Sequence, residues 1–307
     1  MALNFGLNTG PQETSIAELQ ALWRRAEAAG FWWVSVWDHF YANPFRDRAA
    51  PCFEGTAILA ALAAATRRVR VGCLVFAMPF RHPAQLAKAV ATIDHMSGGR
   101  VEMGLGAGWL KQEFDDLGLP LGSLRERLDR LKEGLQVVRS LFRDEQTNFE
   151  GRYYSLRNAV CAPRPVQPRL RLWVGGAGPT RTPRLAALYA DGFNTPFVSP
   201  TICRERNAAV DAECERIGRD PAEILRSANV GFYLTADAAQ ENRARPALAR
   251  FSDAQREGSV VGGVQQVVDR VGEYSRAGIS GLNISVRPPV DTEALDAFIA
   301  DVMPHFA

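Results

Sequence analysis

A histidine beside an aspartate, Asp38-His39, is the part of this sequence best suited to acid–base chemistry. An imidazole changes its protonation near neutral pH, so a histidine at the end of a strand can give or take a proton during a reaction. Neighbouring residues of a strand point to opposite sides, so the two side chains need not touch. Position alone therefore leaves two interpretations of His39: a proton-transfer group, or a ring that hydrogen-bonds the backbone at the rim of the fold.

Two glycine-rich segments can bring the backbone close to a ligand. Gly104–Gly108 precedes Trp109, and glycine permits close approach because it has no Cβ. Gly175–Gly178 is followed by Thr180 and Arg181 at the start of a predicted helix. Backbone N–H groups at a helix N-terminus, with hydroxyls and a cation nearby, are typical of phosphate sites. We favour phosphate binding over an ordinary loop for the second segment, whereas the first also suits a tight turn.

The composition limits the class of protein. Of 307 residues 47% are hydrophobic, and 36 Lys and Arg stand against 34 Asp and Glu, so neither nucleic acid nor an anionic membrane is expected as a partner. The longest apolar run, Ala57–Ala65, is too short to span a bilayer. Five cysteines form no CxxC pair and four histidines no HxH or HExxH motif, so we expect neither disulfides nor a metal site. Residues 1–10 lack the pattern of a secretion signal, which favours the cytoplasm.

Alternating strand and helix patterns must position these groups. Eight predicted strands, each followed by a helical segment, cover residues 3–8, 31–37, 69–76, 101–105, 171–174, 192–195, 227–234 and 281–286. The alternation predicts an α/β fold, a (β/α)8 TIM barrel with insertions, as a single domain over residues 1–307. Residues 143–169 interrupt it and are interpreted as an insertion containing a hairpin, and a helix is predicted from Ala236 to about Arg256. The alternative is a doubly wound open sheet, but its GxGxxG first turn is replaced here by NTGPQETS.

The predicted barrel would bring the candidate groups together. Active sites of such barrels lie at the carboxyl ends of the strands, where this chain has Asn8, the Asp38-His39 pair and both glycine-rich segments. Aromatic side chains are also expected around that mouth, namely Phe40, Tyr41, Phe76, Phe80 and Trp109. They favour a hydrophobic or aromatic substrate, although such side chains also serve simply to exclude water.

Five segments in this order resemble the bacterial luciferase-like oxidoreductases: WDHF, TRRVRVGCLV, PFRHPAQLAKAVATIDHMSGGR, GLGAGW and WVGGAGPTRTPRLAALYADGFN. The resemblance runs from Leu3 to about Asn194 and weakens beyond. Within that superfamily the chain is most similar to an actinobacterial group expected to use the deazaflavin coenzyme F420. The resemblance implies an enzyme, usually a homodimer, that transfers hydride between F420 and a small, hydrophobic organic substrate.

The resemblance also implies roles for single residues. Asp38 and His39 would be the catalytic pair at the reactive edge of the ring, and a non-prolyl cis peptide at Cys73-Leu74 would support the ring. The expected cofactor-binding residues are Asp38, His39, Cys73, Leu74, Gly106, Ala107, Gly108, Trp109, Gly175, Gly176, Ala177 and Gly178. Members that oxidise a sugar phosphate have a glutamate acid where this chain has Trp109, which disfavours that substrate and favours a more apolar pocket.

Two other functions remain open at this point. The same fold can bind reduced FMN and insert oxygen as a monooxygenase. A protein of a different class, a carrier or sensor, would bind a flavin or another ligand without turnover. Oxygen consumption with reduced FMN would indicate the monooxygenase. Tight binding without reaction across a broad substrate panel would indicate the carrier or sensor.

Overall fold

The computed structural model describes residues 3–42, 48–235 and 237–307. The strands are β1 (Asn4–Thr9), β2 (Trp33–Val36), β3 (Arg70–Ala77), β4 (Val101–Gly106), β5 (Thr147–Glu150), β6 (Ser155–Ala159), β7 (Arg171–Gly175), β8 (Gly192–Pro196), β9 (Leu225–Leu234), β10 (Ser259–Gly262) and β11 (Gly281–Val286). The α-helices are α1 (Ile16–Ala28), α2 (Gly55–Ala65), α3 (Pro83–Ser97), α4 (Lys111–Asp116), α5 (Leu124–Arg143), α6 (Arg181–Tyr189), α7 (Pro200–Ile217), α8 (Ala238–Leu248), α9 (Asp253–Glu257), α10 (Val264–Arg276) and α11 (Thr292–Ala297).

Within these ranges, eight parallel strands close into a barrel. The order is β1-β2-β3-β4-β7-β8-β9-β11, and β11 pairs back onto β1. The eight predicted strands are these eight, so the TIM barrel is confirmed and the open sheet is excluded. The sequence reasoning missed β10, a four-residue strand that pairs with the carboxyl half of β9.

Several helices begin where short polar side chains satisfy their first N–H groups. Ser15 and Ser123 form capping boxes with Glu18 and Glu126 at the starts of α1 and α5. The predicted helix over 236–256 is divided into α8 and α9, and Ala236 lies outside the described residues. Residues 147–159 form the antiparallel hairpin β5–β6, as expected for the insertion.

The barrel is filled near the amino ends of its strands. The rings of Trp33 and Trp173 lie 5.0 Å apart between centroids, over the close-packed Gly72 and Gly192. The Trp173 indole N–H donates to the buried carboxylate of Glu102 at 2.6 Å. Side chains therefore occupy the amino end of the barrel.

Asp191, between α6 and β8, ties the barrel to two neighbouring elements. Its buried carboxylate accepts hydrogen bonds from Arg139 at 2.7 Å and from the Leu172 backbone N–H at 2.9 Å, and it also pairs with Arg169. Burial opposes ionisation, but the two arginines and the N–H outweigh it and lower the pKa of Asp191.

We expect Asp191→Asn to lower the free energy of unfolding by about 2 kcal/mol at pH 7, because charged hydrogen bonds are lost. A depressed pKa contributes stability above the ordinary value of about 3.9 and loses it as the pH falls through the folded-state value. Denaturant unfolding of both proteins from pH 7 to pH 3 should therefore show the difference shrinking with acid. Asp269→Asn on α10, an exposed position, is the control and should change stability little at any pH. A pH-independent difference at Asp191 would contradict this account.

Candidate active site

A cavity of about 1730 Å³ opens at the carboxyl ends of the barrel strands. Its lining includes the predicted site residues Asp38, His39, Leu74, Gly106, Ala107, Gly108, Trp109, Gly175, Gly176, Ala177 and Gly178. Cys73 is the exception, because its side chain is completely buried in the hydrophobic core and burial raises the pKa of its thiol. The structure therefore brings eleven of the twelve predicted residues to one cavity.

The non-prolyl cis bond joins Leu74 to Val75, so the predicted position, Cys73-Leu74, is wrong by one residue. The pairing of β3 with β4 is regular through Cys73 and resumes at Phe76 after a register shift. The irregular backbone thus lies one step further along the strand than predicted.

Glycines of the barrel rim make room for Val75. A Cβ on Gly106 would lie 2.4 Å from Val75 Cγ2, and one on Gly175 would lie 2.5 Å from Val75 Cγ1. From the sequence we interpreted the glycine at position 106 as room for a ligand to approach the backbone. The structure shows a protein-internal reason as well: Val75 stands between the ends of β4 and β7, and both must lack side chains to accept it.

We therefore expect Gly106→Ala to destabilise the fold by about 2 kcal/mol through overpacking, and to cost much less in a Val75→Ala background. Gly104→Ala is the matched contrast. Its Cβ would lie 2.3 Å from the Cys73 carbonyl oxygen, which no side-chain truncation removes, so Val75→Ala should not rescue it. Chemical denaturation of the three single variants and the two double variants provides the comparison. Equal rescue of both glycine positions would show that Val75 is not the obstacle.

His39 is held by a residue that the sequence reasoning missed. Glu113 of α4 is fully buried, and its Oε2 lies 3.0 Å from His39 Nδ1. The other oxygen, Oε1, accepts the backbone N–H groups of Phe40 at 2.8 Å and Tyr41 at 3.1 Å. One carboxylate thus fixes both the imidazole and the loop that carries it. The side chain of His39 is 16% exposed and lines the cavity.

Asp38 does not engage the imidazole in these contacts. Its carboxylate receives both terminal nitrogens of Arg81, at 2.7 and 2.8 Å, and the Ala77 backbone N–H at 3.0 Å. Burial raises the pKa of Asp38, against the opposing effect of Arg81. Burial would lower the pKa of Arg81, but the carboxylates of Asp38 and Glu54 outweigh it and raise that pKa. Asp38 therefore joins the ends of β2 and β3.

The second glycine-rich segment leads into an uncapped helix. Among the described residues, no side chain caps the first turn of α6, in contrast to α1, α5 and α7. The cation predicted to assist there, Arg181, is directed to Asp129 and to the Arg125 carbonyl oxygen instead. Arg206 of α7, which the sequence reasoning missed, donates from Nε to the Ala177 carbonyl oxygen at 2.9 Å.

The mouth of the cavity is aromatic, but only part of the predicted set lies there. Phe80 and Trp109 line it, whereas Phe76 is completely buried in the core. Trp109 is 61% exposed and meets the His39 ring edge-on at 5.8 Å between centroids. Further aromatic lining residues come from β9, namely Phe232 and Tyr233, and from later loops, namely Phe197 and Phe251.

Two classes of feature are absent from the part of the chain that the structure describes. No group of three or more His, Cys, Asp or Glu side chains there could hold a metal ion. No helix there combines the length and the apolar character needed to cross a membrane.

Comparison with known proteins gives the family. The family model described as "Luciferase-like monooxygenase" matches residues 1–257, so the chain belongs to the luciferase-like monooxygenase family. The F420-dependent glucose-6-phosphate dehydrogenase of Microbacterium testaceum is 32% identical over 244 residues, which cover 78% of this chain and 71% of that protein. The protein of the same name from Nakamurella multipartita is 33% identical over 253 residues, covering 80% and 73%.

Solved structures share the fold. An F420-dependent secondary alcohol dehydrogenase, in complex with an F420-acetone adduct, superposes with a TM-score of 0.87 at 22% identity, and both chains are covered in full. The monooxygenase RslO1 from Streptomyces bottropensis superposes with a TM-score of 0.79 at 24% identity, with 99% of this chain and 100% of that chain covered.

Proposed function

We propose that the protein is an F420-dependent oxidoreductase that transfers hydride between the deazaflavin and a small, hydrophobic organic substrate. One observation carries the proposal: in a chain related to F420-dependent dehydrogenases, His39 and both glycine-rich segments line a single cavity. FMN with monooxygenase chemistry is the alternative, and the names of the sequence relatives favour F420 over it.

The residues present fit such a cofactor. Ligand cavities commonly measure about 300–1,000 Å³, so a volume of about 1730 Å³ has room for a cofactor and a substrate together. Since no described side chain caps α6, its first backbone N–H groups, beside Gly176–Gly178, suit a phosphate. Leu74, Val75 and Gly106–Trp109 would line the ring.

When bound, the deazaflavin would supply a carbon that accepts or gives hydride, with two electrons. The share of the chain is orientation, exclusion of water and proton transfer. In the oxidative direction His39 takes the hydroxyl proton of the substrate as its C–H electrons leave as hydride and a carbonyl forms. In the reductive direction it returns that proton to the oxygen. Asp38 serves as a positioning residue in this proposal, because Arg81 and Ala77 already occupy its carboxylate.

The cavity favours an apolar substrate over a sugar phosphate. Trp109 covers the imidazole where the resemblance places a glutamate acid in sugar-phosphate oxidising members. Arg243, one of five arginines in the lining, is already paired with Asp291 at 2.7 Å and Glu293 at 2.7 Å. A phosphate would have to displace these carboxylates to reach it.

We expect the protein to bind F420 at least tenfold more tightly than FMN, since the proposal assigns the cavity to the deazaflavin. Side-by-side fluorescence titrations, with oxygen consumption measured in the presence of reduced FMN, check this. Tighter FMN binding with oxygen uptake would establish the monooxygenase instead. Tight binding with no turnover on a broad panel of alcohols and carbonyl compounds would establish a carrier or sensor.

We expect His39→Ala to lower kcat for hydride transfer by about 10²- to 10⁴-fold, the usual range for loss of a general acid or base. Affinity for F420 should remain within a few-fold of the parent. His82→Ala is the matched control, because His82 acts as the N-cap of α3, accepting the Ala84 N–H at 3.2 Å, outside the cavity lining. Unchanged turnover in His39→Ala would remove His39 from the chemistry. The homodimer, the single-domain organisation and the cytoplasmic location stay predictions.

A further inference from the structure

The contacts of Glu113 determine more than the orientation of His39. We infer that Glu113 is a positioning residue that fixes the ring tautomer, with the proton on Nδ1 and the lone pair of the neutral ring on Nε2. Nε2 is then the atom that exchanges a proton with the substrate. This role in catalysis rests on the proposed function, whereas the tautomer itself does not.

The hydrogen-bond geometry leaves Glu113 as an acceptor on all sides. Two backbone N–H groups, of Phe40 and Tyr41, converge on Oε1, and the His39 ring nitrogen approaches Oε2 at 3.0 Å. An ionised carboxylate can only accept hydrogen bonds, so the ring nitrogen that faces Oε2 donates and the proton is on Nδ1. A neutral imidazole carries one N–H, and the other nitrogen then has the lone pair.

The burial of Glu113 keeps the His39 ring as the partner of its Oε2 atom. The side chain is fully buried, so solvent cannot replace the imidazole as partner of Oε2. When the ring gains a second proton at Nε2 during oxidation of a substrate, the carboxylate stabilises the imidazolium. When the ring gives that proton up during reduction, the carboxylate keeps the remaining one on Nδ1. The arrangement follows the logic of a carboxylate that orients a catalytic histidine.

The same segment holds the ring from another side. Trp109 lies just after β4 and contacts the edge of the His39 ring, while Glu113 lies four residues later in α4. Because the two belong to one short connection, a single piece of chain contacts the His39 ring at two places.

Glu113→Gln tests the inference because it should move the proton of the neutral His39 ring from Nδ1 to Nε2. Phe40 and Tyr41 both present N–H groups to Oε1, so the amide must place its carbonyl oxygen there. Its NH2 group then faces Nδ1, which must become the acceptor. The variant ring should carry its proton on Nε2. The substitution is nearly isosteric and keeps the two backbone hydrogen bonds.

The measurement is ¹H–¹⁵N multiple-bond NMR on protein labelled at histidine, with His39→Ala assigning the His39 signals. We expect the Nδ1–H pattern for the neutral ring in the parent and the Nε2–H pattern in Glu113→Gln. Asp115→Asn, a substitution on the same helix at a residue that pairs with Lys111, should leave the parent pattern. An Nε2–H pattern in the parent, or no inversion in a folded Glu113→Gln protein, would overturn the inference. The parent spectrum alone decides if the variant fails to fold.

The kinetic readout separates this inference from the proposed function. With F420 as cofactor, Glu113→Gln should lower kcat about 10³-fold while KM changes less than threefold, because the wrong tautomer blocks proton transfer and not binding. Inversion of the tautomer with unchanged kcat would overturn the catalytic half of the inference. Failure of the parent to react with F420 at all would instead reject the proposed function, leaving the tautomer result standing.

Discussion

Two buried carboxylates cross-link the carboxyl ends of three adjacent barrel strands, and the candidate site depends on them. Asp38 at the end of β2 receives the Ala77 N–H and Arg81 from the end of β3. Glu113, which follows β4, receives the N–H groups of the loop over residues 39–41 after β2. A buried carboxylate must have hydrogen-bond donors. Each of these carboxylates therefore holds the donors of a neighbouring loop within hydrogen-bond distance. The position of the imidazole is a consequence of that requirement.

The remaining part of the rim is organised by packing. Val75 stands between Gly106 of β4 and Gly175 of β7. Each glycine leaves room for the Val75 side chain because it has no Cβ, which would collide with it. This wedge sets the spacing between the strand that leads to Trp109 and the strand that leads to the uncapped N-terminus of α6. The charged cross-links hold the loop that carries His39, and the wedge spaces the strands that carry Gly106 and Gly175.

The sequence predicts the barrel well because its signals are local and repeated, as the eight alternating strand–helix units show. It predicts the site less completely. The cis bond at Leu74-Val75 follows a register shift that strand periodicity does not reveal. Glu113 stands in KQEFDD, which has the composition of an exposed helical turn, and its burial depends on a loop 74 residues earlier in the chain. A contact between residues so far apart in the sequence forms only when the barrel closes.

The contacts of Glu113 offer a physical explanation for the tryptophan at position 109, where the resemblance places a glutamate in sugar-phosphate oxidising members. A carboxylate that faced the substrate would offer it a charged acceptor, whereas this one is occupied by two backbone N–H groups and by His39. The negative charge lies at the Nδ1 edge of the imidazole, and an exposed indole contacts the ring edge-on. In the proposed function, His39 transfers the proton while the charge of Glu113 is kept away from the substrate. On the proposed function, such a site accepts a molecule with one exchangeable proton on an otherwise apolar body.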